Sequence, residues 1–229
     1  ACLAAVARDA GAKTTIIEAA AGNQTLPETV AEILRLAPHI VGFSATTAGI
    51  VAAAEAAARV KMANPDIITL FGGCHVSALP EETMRAYPAI DLAVVGEGEL
   101  TLQDIIRQVD PTAPAVPRGL AGTVAREGNQ IRRNPARPLI PDLDALPLPA
   151  WDLLKGFPRA YRPSPMRVRR WPCASVVFTR GCPNQCVFCD RSVFGHRCRA
   201  YSPDYAVRMI AELRAQHGVR EILIEDDTF

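Results

Sequence analysis

Across residues 1–110, short apolar runs rich in β-branched residues alternate with stretches of helical periodicity. That alternation restricts the chain to βαβ units around a largely parallel sheet. A helix over 1–9 stops at Gly11, a residue suited to the left-handed end of a helix. A strand over 14–18 follows, then a helix from Pro27, at a position where a missing amide hydrogen costs nothing. The next strand, 39–44, leads into an alanine-rich helix near 48–63. A strand over 67–71 runs into Gly72-Gly73, and a short helix begins near Pro80. The strand at 91–95 gives way to Gly96-Glu97-Gly98-Glu99 and a last helix to about residue 109. All four strand runs have the composition of strands buried on both faces. In a flavodoxin-like order, 2-1-3-4-5, a first strand should precede the 1–9 helix and lie inside the sheet. The sequence opens inside that helix and closes just past a strand, so it is expected to be a fragment cut at both ends with the first strand missing.

From residue 111 to 170 the composition changes. Eight prolines fall between Pro111 and Pro149, which suits a connector and forbids long helices. Within it, 122–124 and 130–132 flank Glu127-Gly128-Asn129 and are expected to form a small hairpin. From residue 171 to 229 a strand (174–179), a cysteine loop, a helix (203–217) capped by Gly218, and a second strand (221–224) follow. This is the opening of a βα barrel. The expected fold class is therefore α/β: a Rossmann-like sheet domain (1–110), a proline-rich connector (111–170), and the first βα units of a partial TIM-type barrel (171–229).

Bulk properties narrow the function. The chain has 229 residues, 49% hydrophobic and 21% charged, so disorder is not expected. A net charge of +1 argues against a nucleic-acid binder that relies on bulk charge. No apolar stretch reaches the roughly 18 residues of a membrane span. Seven cysteines is an odd count, and nothing resembles a signal peptide, so reduced thiols and a cytoplasmic location are expected.

Three of those thiols lie within eight residues: Cys182-Pro183-Asn184-Gln185-Cys186-Val187-Phe188-Cys189, spaced C-x3-C-x2-C. A loop this short can aim three thiolates at one point, as an iron–sulfur cluster requires, and three ligands leave one iron of a 4Fe–4S cluster open. A zinc knuckle is the competing reading, with Cys173, His196 or Cys198 as a fourth ligand; it lacks the usual second C-x2-C-like pair.

The first domain offers three loops at the carboxyl ends of its strands: Ser44-Ala45-Thr46-Thr47, Gly72-Gly73-Cys74-His75-Val76-Ser77 and Gly96-Glu97-Gly98-Glu99. Rossmann-like sheets bind ligands there. Small residues let a large flat ligand approach the backbone, and hydroxyls can bond its polar edges. No Gly-x-Gly-x-x-Gly or Gly-x4-Gly-Lys-Ser/Thr signature is present. Taken alone, a Gly-Gly after a strand is more often turn geometry.

In order, these loops and the downstream C-x3-C-x2-C segment with its continuation to Gly195 resemble the cobalamin-binding radical S-adenosylmethionine (radical SAM) family over almost the whole chain. The resemblance implies that Cys182, Cys186 and Cys189 hold a 4Fe–4S cluster whose fourth iron takes SAM. It places Phe188 and one of Asp226 and Asp227 against SAM, since neighbouring strand residues face opposite ways. It places Ser44, Thr46, Thr47, Gly72, Gly73, His75, Gly96, Glu97 and Gly98 around cobalamin, with His75 as a hydrogen-bonding residue rather than a cobalt ligand. The Asp-x-His-x-x-Gly motif that supplies a lower cobalt ligand in many cobalamin proteins would fall before or at the start of the first helix. The implied activity is reductive cleavage of SAM to a 5′-deoxyadenosyl radical, used for methyl transfer to an unactivated carbon of a small molecule, lipid or natural product. An electron donor such as flavodoxin or ferredoxin would be the protein partner. Alternatives are oxidative cyclisation or rearrangement, a tRNA methylthiotransferase, and a non-catalytic cobalamin- or zinc-binding module. The methylthiotransferases carry three further cluster cysteines in their first domain, where this chain has only Cys2 and Cys74.

One charge run stands apart. Lys155, Arg159, Arg162, Arg167, Arg169 and Arg170 occur with no acidic residue among them. Such runs are mostly solvated surface or interdomain contacts; the functional alternative is attraction to an anionic substrate or to the phosphate of cobalamin.

Overall fold

The computed structural model describes residues 1–227. Two compact units emerge, both discontinuous in sequence: Ala1–Asn23 with Ile140–Val187 and Phe194–Phe229, and Gln24–Leu139 with Phe188–Val193.

The second of these is built on a five-stranded sheet. Its strands are β1 (Ile40–Ser44), β2 (Ile68–Gly72), β3 (Leu92–Val94), β4 (Thr123–Glu127) and β5 (Gln130–Arg133), in that spatial order. β1, β2 and β3 are parallel, Phe43 opposite Phe71 and Phe71 opposite Ala93. β4 and β5 form the hairpin expected in the connector, but β4 also pairs antiparallel with β3, so the hairpin extends the sheet rather than standing alone. Alternation along the strands feeds two cores. Phe71, Ala93 and Val124 join Ile50, Val76 and Met84 on one face. Ile68, Leu70, Leu92 and Ala125 join Ile105 and Leu120 on the other. β2 and β3 are therefore buried on both faces, whereas β1, at the edge, is only half covered.

The helices of this unit start and stop where their end residues dictate. α2 (Leu26–Leu36) opens with a full capping box, Thr25 accepting from the Glu28 amide while Glu28 accepts from that of Thr25. α3 (Ile50–Ala63) buries Ala54, Ala57 and Val60. Two short helices follow β2, α4 (Cys74–Ala78) and α5 (Pro80–Ala86), and α6 (Glu99–Gln108) follows β3. Residues 74–77, expected in a loop, belong to the helical turn α4.

The first unit contains α1 (Cys2–Asp9), a series of 3-10 turns between residues 143 and 167, and a βα unit. β6 (Cys173–Val176) and β9 (Glu221–Ile224) pair in parallel, with α7 (Pro203–His217) between them in sequence. Ser202 caps the Tyr205 amide, and Gly218 (φ +65°) ends α7 with bonds to the Arg214 and Leu213 carbonyls. Tyr205, Met209 and Leu213 pack on Ala174, Val176 and Trp151. α1 sets Ala4 and Ala5 against Ala150.

Two strand expectations are corrected. Residues 14–18 form no strand and lie in no sheet: no described strand pairs with them, and a strand is stable only as part of a ladder. The strand expected over 174–179 is two: β6 ends at Val176, and β7 (Thr179–Arg180) pairs instead with β8 (Arg199–Ala200).

Candidate functional site

The parallel strands β1, β2 and β3 end on one edge of the sheet, and there the three loops singled out in the sequence are knit together. The Ala45 amide donates to the Gly72 carbonyl (3.1 Å). His75 Nδ1 and Thr47 Oγ1 share a hydrogen bond of 3.1 Å, the threonine exposed and the histidine half-buried. The buried Ser77 accepts from the Gly96 amide (3.0 Å). Ser44, Thr46, Thr47, Gly72, Gly73, His75, Gly96, Glu97 and Gly98 thus lie on loops of a single edge. Glu97 and Glu99 are buried at the start of α6.

Gly73 has a specific reason to be glycine. Its φ is +101°, and a Cβ there would stand 2.9 Å from the Ala45 carbonyl oxygen and 3.4 Å from Ser44 Oγ. The close approach is thus between two protein loops. Gly72, by contrast, has only ordinary contacts near 3.8 Å and leaves its outer side uncrowded. Loops of small residues around a partly exposed His–Thr pair fit the edge of a large polar ring system, in donor chemistry and in lack of bulk.

The cysteine loop begins at β7 and ends at β8, whose pairing of Thr179 with Ala200 and Arg180 with Arg199 closes its base. Gly181 is buried with φ +84°, and a Cβ there would collide with the carbonyls of Arg197 and Phe194. The Cys182 amide donates to the Gly195 carbonyl (3.4 Å). Arg180 lies over the Phe194 ring (5.4 Å) and donates to the Tyr201 hydroxyl (3.4 Å), while Arg199 donates to the Ile140 carbonyl (2.7 Å). These contacts close the base, and the thiols stand beyond it. Cys182 is half-buried, Cys186 and Cys189 are exposed, and none of the three is in a disulfide. Phe188 is 89% exposed. Among the described residues no three Cys, His, Asp or Glu side chains are drawn into one metal-holding group. The donor set nevertheless fits a cluster: three soft sulfur ligands on irregular backbone, where no helix or strand fixes the thiols.

Asp226 and Asp227 lie just past β9 rather than within it, so strand alternation does not sort them. Asp226 Oδ1 accepts from the amides of Phe178 (2.6 Å) and Thr179 (3.1 Å), and Asp227 is exposed. Within the basic run Arg167 pairs with Glu225 (2.7 Å), and Glu221 accepts from the backbone amides of Arg169 and Arg170. Sequence reasoning missed Ser77, Arg180 and Gly181 as residues that set the site. The Ser77 position in Gly-Gly-x-His-x-Ser was visible, but its partner, 19 residues away, was not.

Comparison with known proteins agrees with this layout. The B12 binding domain family matches residues 1–106, and the Radical SAM superfamily matches 176–229. The chain thus carries a B12 binding domain followed by radical SAM sequence. A Pyrococcus horikoshii protein named as an uncharacterized methyltransferase is 35% identical, over 93% of this chain and 45% of its own length. The anaerobic magnesium-protoporphyrin IX monomethyl ester cyclase of Rubrivivax gelatinosus is 32% identical, over 86% of this chain and 35% of its own. Chain and relatives thus match over less than half of the relatives' length. The structure of the radical SAM methyltransferase TsrM from Kitasatospora setae, with cobalamin and a [4Fe-4S] cluster bound, superposes with a TM-score of 0.69 at 17% identity. It covers 98% of this chain and 44% of TsrM, and shows a shared fold. The B12-binding part holds the three knit loops, and the radical SAM part contains the cysteine loop. No described helix is long and apolar enough to cross a membrane.

Proposed function

We propose that this chain is the cofactor-binding portion of a cobalamin-dependent radical SAM enzyme that transfers a methyl group to an unactivated carbon of a small molecule or lipid. The observation that carries the reading is the succession, in one chain, of a B12-type sheet edge and a three-thiol loop whose base is closed by the β7–β8 pair. When bound, the cluster supplies the electron that cleaves SAM to methionine and a 5′-deoxyadenosyl radical, and cobalamin supplies a methyl carrier. Cys182, Cys186 and Cys189 hold the iron. Gly181 and the β7–β8 pair fix where the loop leaves the fold. Phe188, open to solvent, is free to stack on the adenine of SAM and to exclude water from it. The residues of 44–47, 72–77 and 96–98 seat the corrin, with His75 and Thr47 as hydrogen-bonding groups at its rim. The electron comes from an external donor such as a flavodoxin or ferredoxin.

The test is anaerobic reconstitution of the full-length protein with iron, sulfide and hydroxocobalamin, followed by SAM and a strong reductant. 5′-Deoxyadenosine and S-adenosylhomocysteine should both form, and both should vanish in Cys186→Ala. Zinc in place of iron, with neither product, would overturn the reading. The cyclase relative favours a second outcome, ring closure on the same cofactors. Deoxyadenosine without S-adenosylhomocysteine would select it.

A further inference from the structure

Between Val176 and Thr179 the chain changes partners. Up to Val176 it pairs with β9, and the Glu225 amide still donates to the Val176 carbonyl (2.9 Å). From Thr179 it pairs with β8. The amides of Phe178 and Thr179 fall at this switch, and both donate to one oxygen, Asp226 Oδ1, at 2.6 and 3.1 Å. A carboxylate thus takes the place of a backbone acceptor where one ladder stops and the next begins. Charge-assisted bonds of this kind are stronger than neutral ones. Two residues beyond β7 comes Cys182. The other oxygen, Oδ2, is buried and meets no partner among the described residues, so Oδ1 carries the anchoring.

From this geometry we infer that Asp226 is a positioning residue for the cluster loop: it fixes the turn from which β7 carries Cys182 into place, and leaves the exposed Asp227 as the acid of the pair open to a ligand. The inference rests on the cluster reading above. It divides two adjacent carboxylates by role, one facing the protein backbone and one facing outward.

The experiment compares Asp226→Asn, Asp226→Ala and Asp227→Asn in the full-length protein, reconstituted with iron and sulfide alone. Iron and sulfide per chain, the visible absorption of the oxidised cluster and the electron paramagnetic resonance signal of the reduced one, with and without SAM, are measured beside a thermal melt. Asp226→Ala should load several-fold less cluster. Asp226→Asn retains an acceptor oxygen for the two amides and should restore loading and the signal. Asp227→Asn should load normally. If Asp226→Ala does not fold, Asp226→Asn decides: a normal signal with its usual response to SAM supports positioning. Loss of that response in Asp226→Asn would mean that the Asp226 charge serves the ligand, and would overturn the inference. Wild-type loading in Asp226→Ala would overturn it too. Failure of the wild-type protein itself to take up a cluster would instead sink the cluster reading.

Discussion

The buried hydroxyl of Ser77 accepts a hydrogen bond from the amide of Gly96 at 3.0 Å, and so ties the segment after β2 to the segment after β3. The bond helps to hold in register two loops of the edge on which cobalamin is proposed to rest. Ser77→Ala leaves the Gly96 amide without that partner, a loss of about 1–2 kcal/mol. The urea midpoint should fall accordingly. Cobalamin retained through gel filtration should fall with it, whereas iron loading should not change.

Two glycines separate backbone strain from steric collision. Gly11 and Gly181 have similar torsions, φ +89° and +84°, but a Cβ on Gly11 meets nothing within 4 Å, and one on Gly181 runs into two carbonyls. Gly11→Ala should cost only the left-handed backbone preference, about 1–2 kcal/mol. Gly181→Ala should cost clearly more and lower iron loading, because the base of the cysteine loop must shift. Paired thermal melts and iron assays check both.

What could be read in the sequence was whatever is local. The helix α7 was marked by Pro203 and Gly218, and the strands β1, β2 and β3 by their β-branched runs. The C-x3-C-x2-C spacing marked the cysteine loop. Non-local pairing was hidden. Thr14, Thr15, Ile16 and Ile17 have strand composition, yet no described strand pairs with them. The β7–β8 pair is two residues a side, too short for any periodicity. The approach of the Ala45 backbone to Gly73 was hidden as well. Asp226 turns inward because two amides lose their ladder partners 47 and 48 residues earlier in the chain, which no motif records.

Acid should loosen the contact between Asp144 and the start of α7. Hydrogen bonds from Ser202, side chain and backbone, hold the Asp144 carboxyl below its ordinary value, with Arg208 adding to the effect. The backbone bond is 2.9 Å. A carboxyl lowered in the folded state contributes stability in full above its unfolded pKa, about 4, and loses it as pH falls through the folded value. Asp144→Asn should therefore be less stable than wild type near neutrality, and the difference should close below about pH 4. Thermal melts from neutral to acid pH measure it. A constant difference across that range would remove Asp144 from the acid response.

The seven thiols should divide by environment. Cys173 lies in β6, buried, and burial raises its thiol pKa, with the nearby Glu221 raising it further. A raised pKa means less thiolate at any pH below it, and the thiolate is the reactive form. Cys74, Cys186, Cys189 and Cys198 are exposed. Iodoacetamide on the cluster-free protein near pH 8 should modify those four and spare Cys173, as peptide mass mapping can show. After reconstitution Cys186 and Cys189 should become protected while Cys74 and Cys198 stay reactive. Cys173→Ala and Cys198→Ala should keep their iron, since neither belongs to the C-x3-C-x2-C set. If protection extends to Cys198, or if its loss abolishes metal binding, the fourth ligand is a protein thiol. No coordination position would then be open for SAM, and the zinc-knuckle reading would take the place of the radical one.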